Sequence, residues 1–289
     1  MAVDLPKPSL ELTIGSAQLQ GSRFRQEDAF ITQWVYEDLI VLVADGLGGH
    51  TAGDEASRIG INIASASLAS WLKGRDHKSV EARRILKKAV DAGTALRNAF
   101  IETHESLLAL RPLSGRRGSN EPATTLVGGV FLIDQRQFVA ASVGDSSLYL
   151  LREGALRRLF RPERGGGIDF AAGSSIGARG RGIYLLEPPL DLMPEDRLLL
   201  ATDGLDVLDE HEIGRCLNAG SPRETCEALI KSVIELMDDE QDNCTIVVVY
   251  ATEWSVVQHS NGDFGEVRTI SARAKSCQRS TITTPVPGK

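Results

Sequence analysis

Three segments of this chain close an apolar run with an aspartate. Leu42-Val43-Ala44-Asp45-Gly46 and Leu200-Ala201-Thr202-Asp203-Gly204 echo each other, and Ala141-Ser142-Val143-Gly144-Asp145 delivers a third acid. A fourth, Asp242, stands with Asn243 directly before the apolar run Thr245 to Tyr250. One Asp-Gly pair alone marks a turn. Four acids at the mouths of core strands suggest more, because strand ends are rigid and carboxylates placed there can converge on one point. Converging carboxylates repel and are tolerated when a cation neutralises them. An all-oxygen set suits Mg²⁺ or Mn²⁺ rather than zinc. The missing side chain of Gly46 would let its backbone carbonyl approach such an ion.

Two further stretches carry chemistry. Arg23-Phe24-Arg25-Gln26-Glu27-Asp28 sets an acidic pair beside two arginines. As a solvated strand edge it would mean little. Beside a metal cluster, Glu27 would join the ligands and Arg23 would reach a phosphate that the metals hold, since a guanidinium matches phosphate oxygens with two prongs. Leu47-Gly48-Gly49-His50-Thr51-Ala52-Gly53-Asp54-Glu55 reads as a flexible loop leading into a helix. Next to a carboxylate cluster, His50 could protonate a leaving alkoxide.

The elements that must position these residues can be read from periodicity. Strands are expected at Leu10 to Leu19, at Ala29 to Val35 and Leu39 to Ala44 (a hairpin about Glu37-Asp38), at Thr125 to Ile133, Gln137 to Val143, Ser147 to Arg152, Arg197 to Thr202 and Thr245 to Tyr250. Leu39 to Ala44 is apolar at every position, as in a sheet covered on both faces. Helical spacing marks Asp54 to Leu72, Ser79 to Leu110, Glu210 to Leu217 and Arg223 to Met237. Pro112 to Pro122 reads as a polar loop, and Gly-rich Arg161 to Gly182 as a surface excursion. The order has no strict strand–helix alternation, which disfavours a doubly wound parallel sheet. Runs of strands and of helices favour an α+β fold in which two sheets pack together with helices outside. Residues 12–251 are expected to form the catalytic domain, and polar residues 252–289 a weakly structured tail.

With 289 residues the chain can bury a sizeable core without staples, and its net charge of -7 speaks against nucleic acid as a partner. Cys216, Cys226, Cys244 and Cys277 show no C-x-x-C or zinc-ligand spacing, so they are expected to be free thiols in a reducing cytoplasm. The first ten residues lack the basic-then-apolar order of a signal peptide, and the longest apolar run is far too short to span a bilayer.

Taken together, the motifs resemble the PPM, or type 2C, metal-dependent protein phosphatases in their bacterial single-domain form. The matching pieces, in the family's order, are R-x-x-Q-E-D at Arg23 to Asp28, V-A-D-G-L-G-G-H at Val43 to His50, A-T-T-L-V at Ala123 to Val127, V-G-D-S at Val143 to Ser146, A-T-D-G-L at Ala201 to Leu205 and D-N-C-T-I at Asp242 to Ile246. The resemblance implies a β-sandwich flanked by helices on both sides, with metals at one end. It implies that Asp45, Asp203 and Asp242 hold a first ion, and that Glu27, Asp45 and the Gly46 carbonyl hold a second. Asp28 becomes a supporting partner, Asp145 with Asp203 contributes to a third site, Arg23 binds substrate phosphate, and His50 is the general acid. The implied reaction is hydrolysis of phosphoserine and phosphothreonine by a metal-activated water, with Mn²⁺ or Mg²⁺ as cofactor. The implied partner is a phosphoprotein, opposing a Ser/Thr kinase, and the enzyme is expected to be a monomer. Where the family often carries an Asp-His pair and a Thr-Arg-x-Leu-Gly stretch, this chain reads Phe160-Arg161-Pro162-Glu163-Arg164 and Ser174-Ser175-Ile176-Gly177-Ala178, leaving Asp169 as a substitute acid for the third site.

Two other readings compete. A catalytically inactive phosphatase fold serving as sensor or scaffold would have lost the metal acids, and the core acids are all present. A phosphatase of small metabolites would share the same acids, and would be separated by comparing a phosphopeptide with a sugar phosphate.

Overall fold

The structure is a computed structural model and describes residues 9–47, 52–74, 81–109, 123–160, 182–237 and 239–254. His50, Asp169, Cys277 and the stretches 112–122, 161–164 and 174–178 lie outside the described residues, as does nearly all of the expected tail.

Thirteen strands and four helices follow one another along the described chain. The strands are β1 (Ser9–Leu19), β2 (Ala29–Val35), β3 (Asp38–Ala44), β4 (Gly46–Leu47), β5 (Ala123–Thr124), β6 (Leu126–Leu132), β7 (Gln137–Val143), β8 (Ser147–Arg152), β9 (Ala155–Phe160), β10 (Tyr184–Leu185), β11 (Leu190–Asp191), β12 (Arg197–Ala201) and β13 (Cys244–Trp254). The helices are α1 (Ala52–Gly74), α2 (Glu81–Ala109), α3 (Glu210–Leu217) and α4 (Pro222–Leu236). One sheet runs β1-β13-β12-β8-β9; the other runs β10-β7-β6-β3-β2, with β11 also on β7; β4 and β5 form a small ribbon. All pairings are antiparallel.

The core shows why β3 is apolar throughout. Leu39, Val41 and Val43 pack between the sheets against Phe131, Leu198 and Val247, while Ile40, Leu42 and Ala44 face Leu68, Leu96 and Phe100 of α1 and α2. Alternate side chains of a strand point to opposite faces, so a strand covered on both faces must be apolar at both. The second sheet repeats the pattern: Val247 and Val249 of β13 point into the sandwich, and Ile246, Val248 and Tyr250 point toward α3 and α4. The layers are therefore helices, sheet, sheet, helices, as expected for the α+β sandwich. α4 starts at a capping box in which Ser221 and Glu224 bond each other's backbone, with Pro222 in the first turn.

Several details differ from the sequence expectations. The hairpin turn sits at Tyr36-Glu37, where Tyr36 takes a positive φ of 55°, and Asp38 already pairs with Val35. The last strand extends to Trp254 because β1 pairs with it along its whole length, Ser9 opposite Trp254. β4, β5, β10 and β11 are two-residue strands, too short for an alternation to register. β9 adds a strand to those expected: Gly154, at a positive φ of 77°, turns the chain straight back along β8.

Register decides where the acids go. Ala44 at the end of β3 pairs with Ala29 at the start of β2, and Leu126 at the start of β6 pairs with Val143 at the end of β7. In the other sheet, Ala201 at the end of β12 pairs with Ile246 near the start of β13 and with Ser147 at the start of β8. Glu27, Asp28, Asp45, Asp145, Asp203 and Asp242 all sit just beyond these termini. One end of the sandwich thus collects these six acids.

Candidate metal centre

Carboxylate oxygens of Asp45, Asp145 and Asp203 all lie within 4.8 Å of one another. Asp45 follows β3, Asp145 sits on the turn from β7 to β8, and Asp203 opens a 3-10 turn (Asp203–Leu205) after β12. The Asp45 backbone is clamped: its N–H donates to Thr125 Oγ1 at 2.9 Å, and its carbonyl accepts from Thr124 Oγ1 and from Thr125 N–H, both at 2.8 Å. Thr125 Oγ1 also meets Ser146 Oγ at 2.7 Å, which ties the Asp45 support to the Asp145 turn.

Asp28 lies behind these groups and is 6% exposed. Its Oδ2 accepts from Thr202 Oγ1 at 2.8 Å, so it braces the β12 end. The Asp242 carboxylate is held by Arg23, whose Nη2 donates to Oδ2 at 2.5 Å, and Oδ1 accepts from Asn243 N–H at 2.8 Å. The triad that lies within 4.8 Å is Asp45, Asp145 and Asp203, and the resemblance placed Asp242 with Asp45 and Asp203. Asp242 still contributes its field to Asp28, Asp45, Asp203 and Glu27.

Glu27 is fixed through its backbone. Its N–H donates to Asn243 Oδ1 at 2.7 Å, and its carbonyl accepts from Gly46 N–H at 3.2 Å and Ser57 Oγ at 2.5 Å. Its carboxylate lies beside the Gly46 carbonyl. An ideal Cβ built on Gly53 would stand 2.8 Å from Gly46 O and 3.0 Å from Glu27 Oε2, so both oxygens border one point in space.

The electrostatics are those of crowded acids. Burial, reinforced by the charges of Asp28, Asp203, Asp242 and Asp145, pushes Asp45 well above the ordinary carboxylate range. Burial and then Asp145 and Asp242 raise Asp203 to about 6. Burial raises Asp28 to about 7, against hydrogen bonds from Thr245 and Thr202. Glu27 is raised by burial, with Arg23 opposing. Among the described residues, Asp28 Oδ1 and Asp203 Oδ1 are buried without a hydrogen-bond partner. Buried acceptors normally find donors, and like charges this close disfavour ionisation. Hard oxygen donors, mutual repulsion and an orphaned carboxylate oxygen together fit divalent cations such as Mg²⁺ or Mn²⁺.

Two further residues, Asn243 and Thr202, support the site. Asn243 uses its whole amide: besides accepting from Glu27, its Nδ2 donates to Gln20 O at 2.7 Å and Arg25 O at 2.9 Å, pinning the Arg23–Glu27 loop to the Asp242 turn. Thr202 donates to Asp28 and accepts from Thr245 N–H at 2.9 Å. Both stood inside quoted motifs, but a motif does not say which strand a side chain will bridge to.

Comparison with known proteins places this geometry. The family model described as "Protein phosphatase 2C" matches residues 14–249. Serine/threonine phosphatase stp of Listeria monocytogenes is 36% identical over 120 residues, 42% of this chain and 41% of that protein. Serine/threonine protein phosphatase PstP of Mycobacterium tuberculosis is 28% identical over 262 residues, 85% of this chain and 45% of that protein. The chain thus spans less than half the length of these curated relatives. Among solved structures, the M. tuberculosis phosphatase PstP/Ppp superposes with a TM-score of 0.61 at 22% identity, covering 83% of this chain and 98% of that one. The PstP catalytic domain solved with two manganese ions gives 0.60 at 22% identity over 84% of this chain and all of that one. Sequence motifs, sandwich and family match agree, and the chain belongs to the protein phosphatase 2C family.

Proposed function

We propose that this protein is a metal-dependent phosphatase of phosphoserine and phosphothreonine in proteins, using Mn²⁺ or Mg²⁺. The observation that carries this reading is the convergence of Asp45, Asp145 and Asp203 within 4.8 Å at the end of the sandwich. We assign Asp45, Asp203 and Asp242 to one ion, Glu27, Asp45 and the Gly46 carbonyl to a second, and Asp145 with Asp203 to a further one. Bound cations would supply a water of lowered pKa and would draw charge from the phosphoryl oxygens.

The chain's own residues do the rest. Thr124 and Thr125 hold the Asp45 backbone in register, Thr202 and Asp28 brace the Asp203 turn, and Asn243 holds the Arg23 loop against Asp242. Arg23 is exposed enough to leave Asp242 for a substrate phosphate, where its charge would bind the phosphoryl oxygens and orient the phosphorus. His50 is proposed to hand a proton to the departing serine or threonine oxygen, a poor leaving group without one. An inactive sensor would lack these acids, and here each stands in place at a strand end.

The opposing partner would be a Ser/Thr kinase, and the working unit a monomer. Cys216, Cys226 and Cys244 are free and buried, which supports a reducing, cytoplasmic setting. No helix among the described residues is long and apolar enough to cross a membrane. The test is release of phosphate from a phosphoserine or phosphothreonine peptide with Mn²⁺, Mg²⁺ or EDTA. Turnover with either ion, lost in EDTA and exceeding that on a sugar phosphate, is expected. Turnover that persists in EDTA would reject the reading.

A further inference from the structure

We propose that Gly53, in the first turn of α1, is a positioning residue that keeps the Gly46 carbonyl and the Glu27 carboxylate open to one shared cation. The inference rests on the metal-dependent reading above and adds a residue to it. Gly53 does not owe its identity to backbone conformation. The positive-φ glycines among the described residues are Gly21, Gly128, Gly144, Gly154, Gly182 and Gly220, and Gly53 is not one of them. Nor does the helix favour it, since glycine is among the poorest residues in a helix.

Space accounts for it. A Cβ at Gly53 would stand 2.8 Å from Gly46 O, 3.0 Å from Glu27 Cδ and 3.0 Å from Glu27 Oε2. The contact is reciprocal: a Cβ on Gly46 would run into the Gly53 carbonyl and lie 2.6 Å from Glu27 O. Two glycines therefore stack backbone on backbone, with the Glu27 side chain lying along them. The nearest groups to any side chain at position 53 are the two oxygens proposed as ligands. A methyl group there can be relieved if the flexible Glu27 carboxylate swings aside or the Gly46 carbonyl tilts. Either movement removes a ligand while leaving the sheets and helices in place. Gly60 of the same helix provides a contrast: its Cβ would meet only methyl carbons of Thr124 and Thr103, at 3.1 and 3.5 Å.

The test is calorimetry of Mn²⁺ binding to the full chain, with circular dichroism and thermal melting in EDTA as fold controls. Wild type should take up at least two ions. Gly53→Ala should keep the ion assigned to Asp45, Asp203 and Asp242 near wild-type affinity and bind the one assigned to Glu27 and Gly46 about 10–100-fold more weakly, the usual cost of disturbing a ligand's support. Gly60→Ala should bind both as wild type does. Unchanged binding in Gly53→Ala, or equal weakening in Gly60→Ala, would overturn the assignment. Absence of Mn²⁺ binding by wild type would instead remove the metal-dependent function itself. Should Gly53→Ala not fold, a Mg²⁺ titration of the wild-type protein followed by amide NMR decides the matter. The Gly53 signal should shift as the ion assigned to Glu27 and Gly46 binds while that of Gly60 stays, and a stationary Gly53 would reject the proposal.

Discussion

Strand β12 begins and ends beside an aspartate, and the two acids live in opposite surroundings. Asp196, just before β12, is fully buried, and Arg152 grips it with Nε at 2.7 Å and Nη2 at 2.6 Å while Met193 N–H donates at 2.8 Å. Asp203, just after β12, keeps a buried Oδ1 without a donor and faces Asp45 and Asp145. β3 repeats the contrast: buried Asp38 at its start accepts from Ile133 N–H at 3.1 Å, whereas Asp45 past its end joins the acidic cluster. Residue type is thus shared by the two ends of the sandwich, and the neighbours differ. Where each carboxylate has a donor of its own, it serves the fold. Where carboxylates are left to one another, the fold carries a repulsion that a cation can relieve.

The sharpest way to break this contrast is to remove one acid from each end of β12. Asp203→Asn should lower kcat on a phosphopeptide by about 10²–10³-fold or more, the scale for losing one preorganised electrostatic group. The same variant should be more stable than wild type in EDTA, because a repelling charge is gone. Asp196→Ala should do the reverse. It breaks a buried ion pair, which costs about 3–5 kcal/mol, toward the lower figure here because Arg152 keeps some exposure. Its activity per folded molecule should match wild type. Urea unfolding in EDTA together with kcat on folded protein checks both, and stability changes of the same sign would dissolve the distinction.

A second, smaller effect lies in pH. Asp203 and Asp28 titrate in the fold at about 6 and about 7, above the ordinary value of 3.8. The folded state therefore holds protons that the unfolded chain has released. The resulting stability is fully present below about pH 4 and is lost as pH rises through 6 and 7, at about 1.4 kcal/mol per pH unit for each group that keeps its extra proton. The melting temperature in EDTA should accordingly fall between pH 5 and 7 more steeply in wild type than in Asp203→Asn, and saturating Mn²⁺ should reverse the fall. Identical slopes in the two proteins would count against repulsion at this end.

Why the two ends could not be told apart from sequence follows from the same residues. The acids of the site announce themselves because each sits within two positions of an apolar run, a local signal. The alternation that covers β3 on both faces is local as well, and it led to the right layers. Neutralisation is not local: Arg152 stands 44 positions before Asp196, and Asn243 stands 216 positions after the Glu27 amide it accepts from. Gly53 belonged to a stretch read as flexible loop, yet it is the second residue of α1. Its value depends on contact with Gly46 and Glu27, which only register brings together. The Arg23–Asp242 pair was likewise invisible, and it bears on how Arg23 is used.

Arg23 stands between the two regimes, a cation paired with an acid on the metal side. Its Nη2 lies 2.5 Å from Asp242 Oδ2, with side-chain exposures of 57% and 35%. Exposed pairs of this kind contribute at most about 1 kcal/mol to stability, so Arg23→Ala should melt within a few degrees of wild type. The consequence should appear in substrate binding. A charge-assisted hydrogen bond contributes about 1.5–3 kcal/mol, and 1.4 kcal/mol is tenfold, so KM for a phosphopeptide should rise by about ten- to a hundredfold. The fall in kcat should be smaller, because the phosphate is gripped before the bond breaks as well as during it. Arg23→Lys should recover only part of the loss, since an ammonium keeps the charge but not the two-pronged fit. Arg25 stacks on exposed Phe24 at 5.9 Å, so Arg25→Ala tests whether any positive charge in this loop would serve. If Arg25→Ala raises KM as much as Arg23→Ala, the loop acts by its overall charge. If KM is unchanged in Arg23→Ala, or only kcat falls, Arg23 serves Asp242 rather than the substrate.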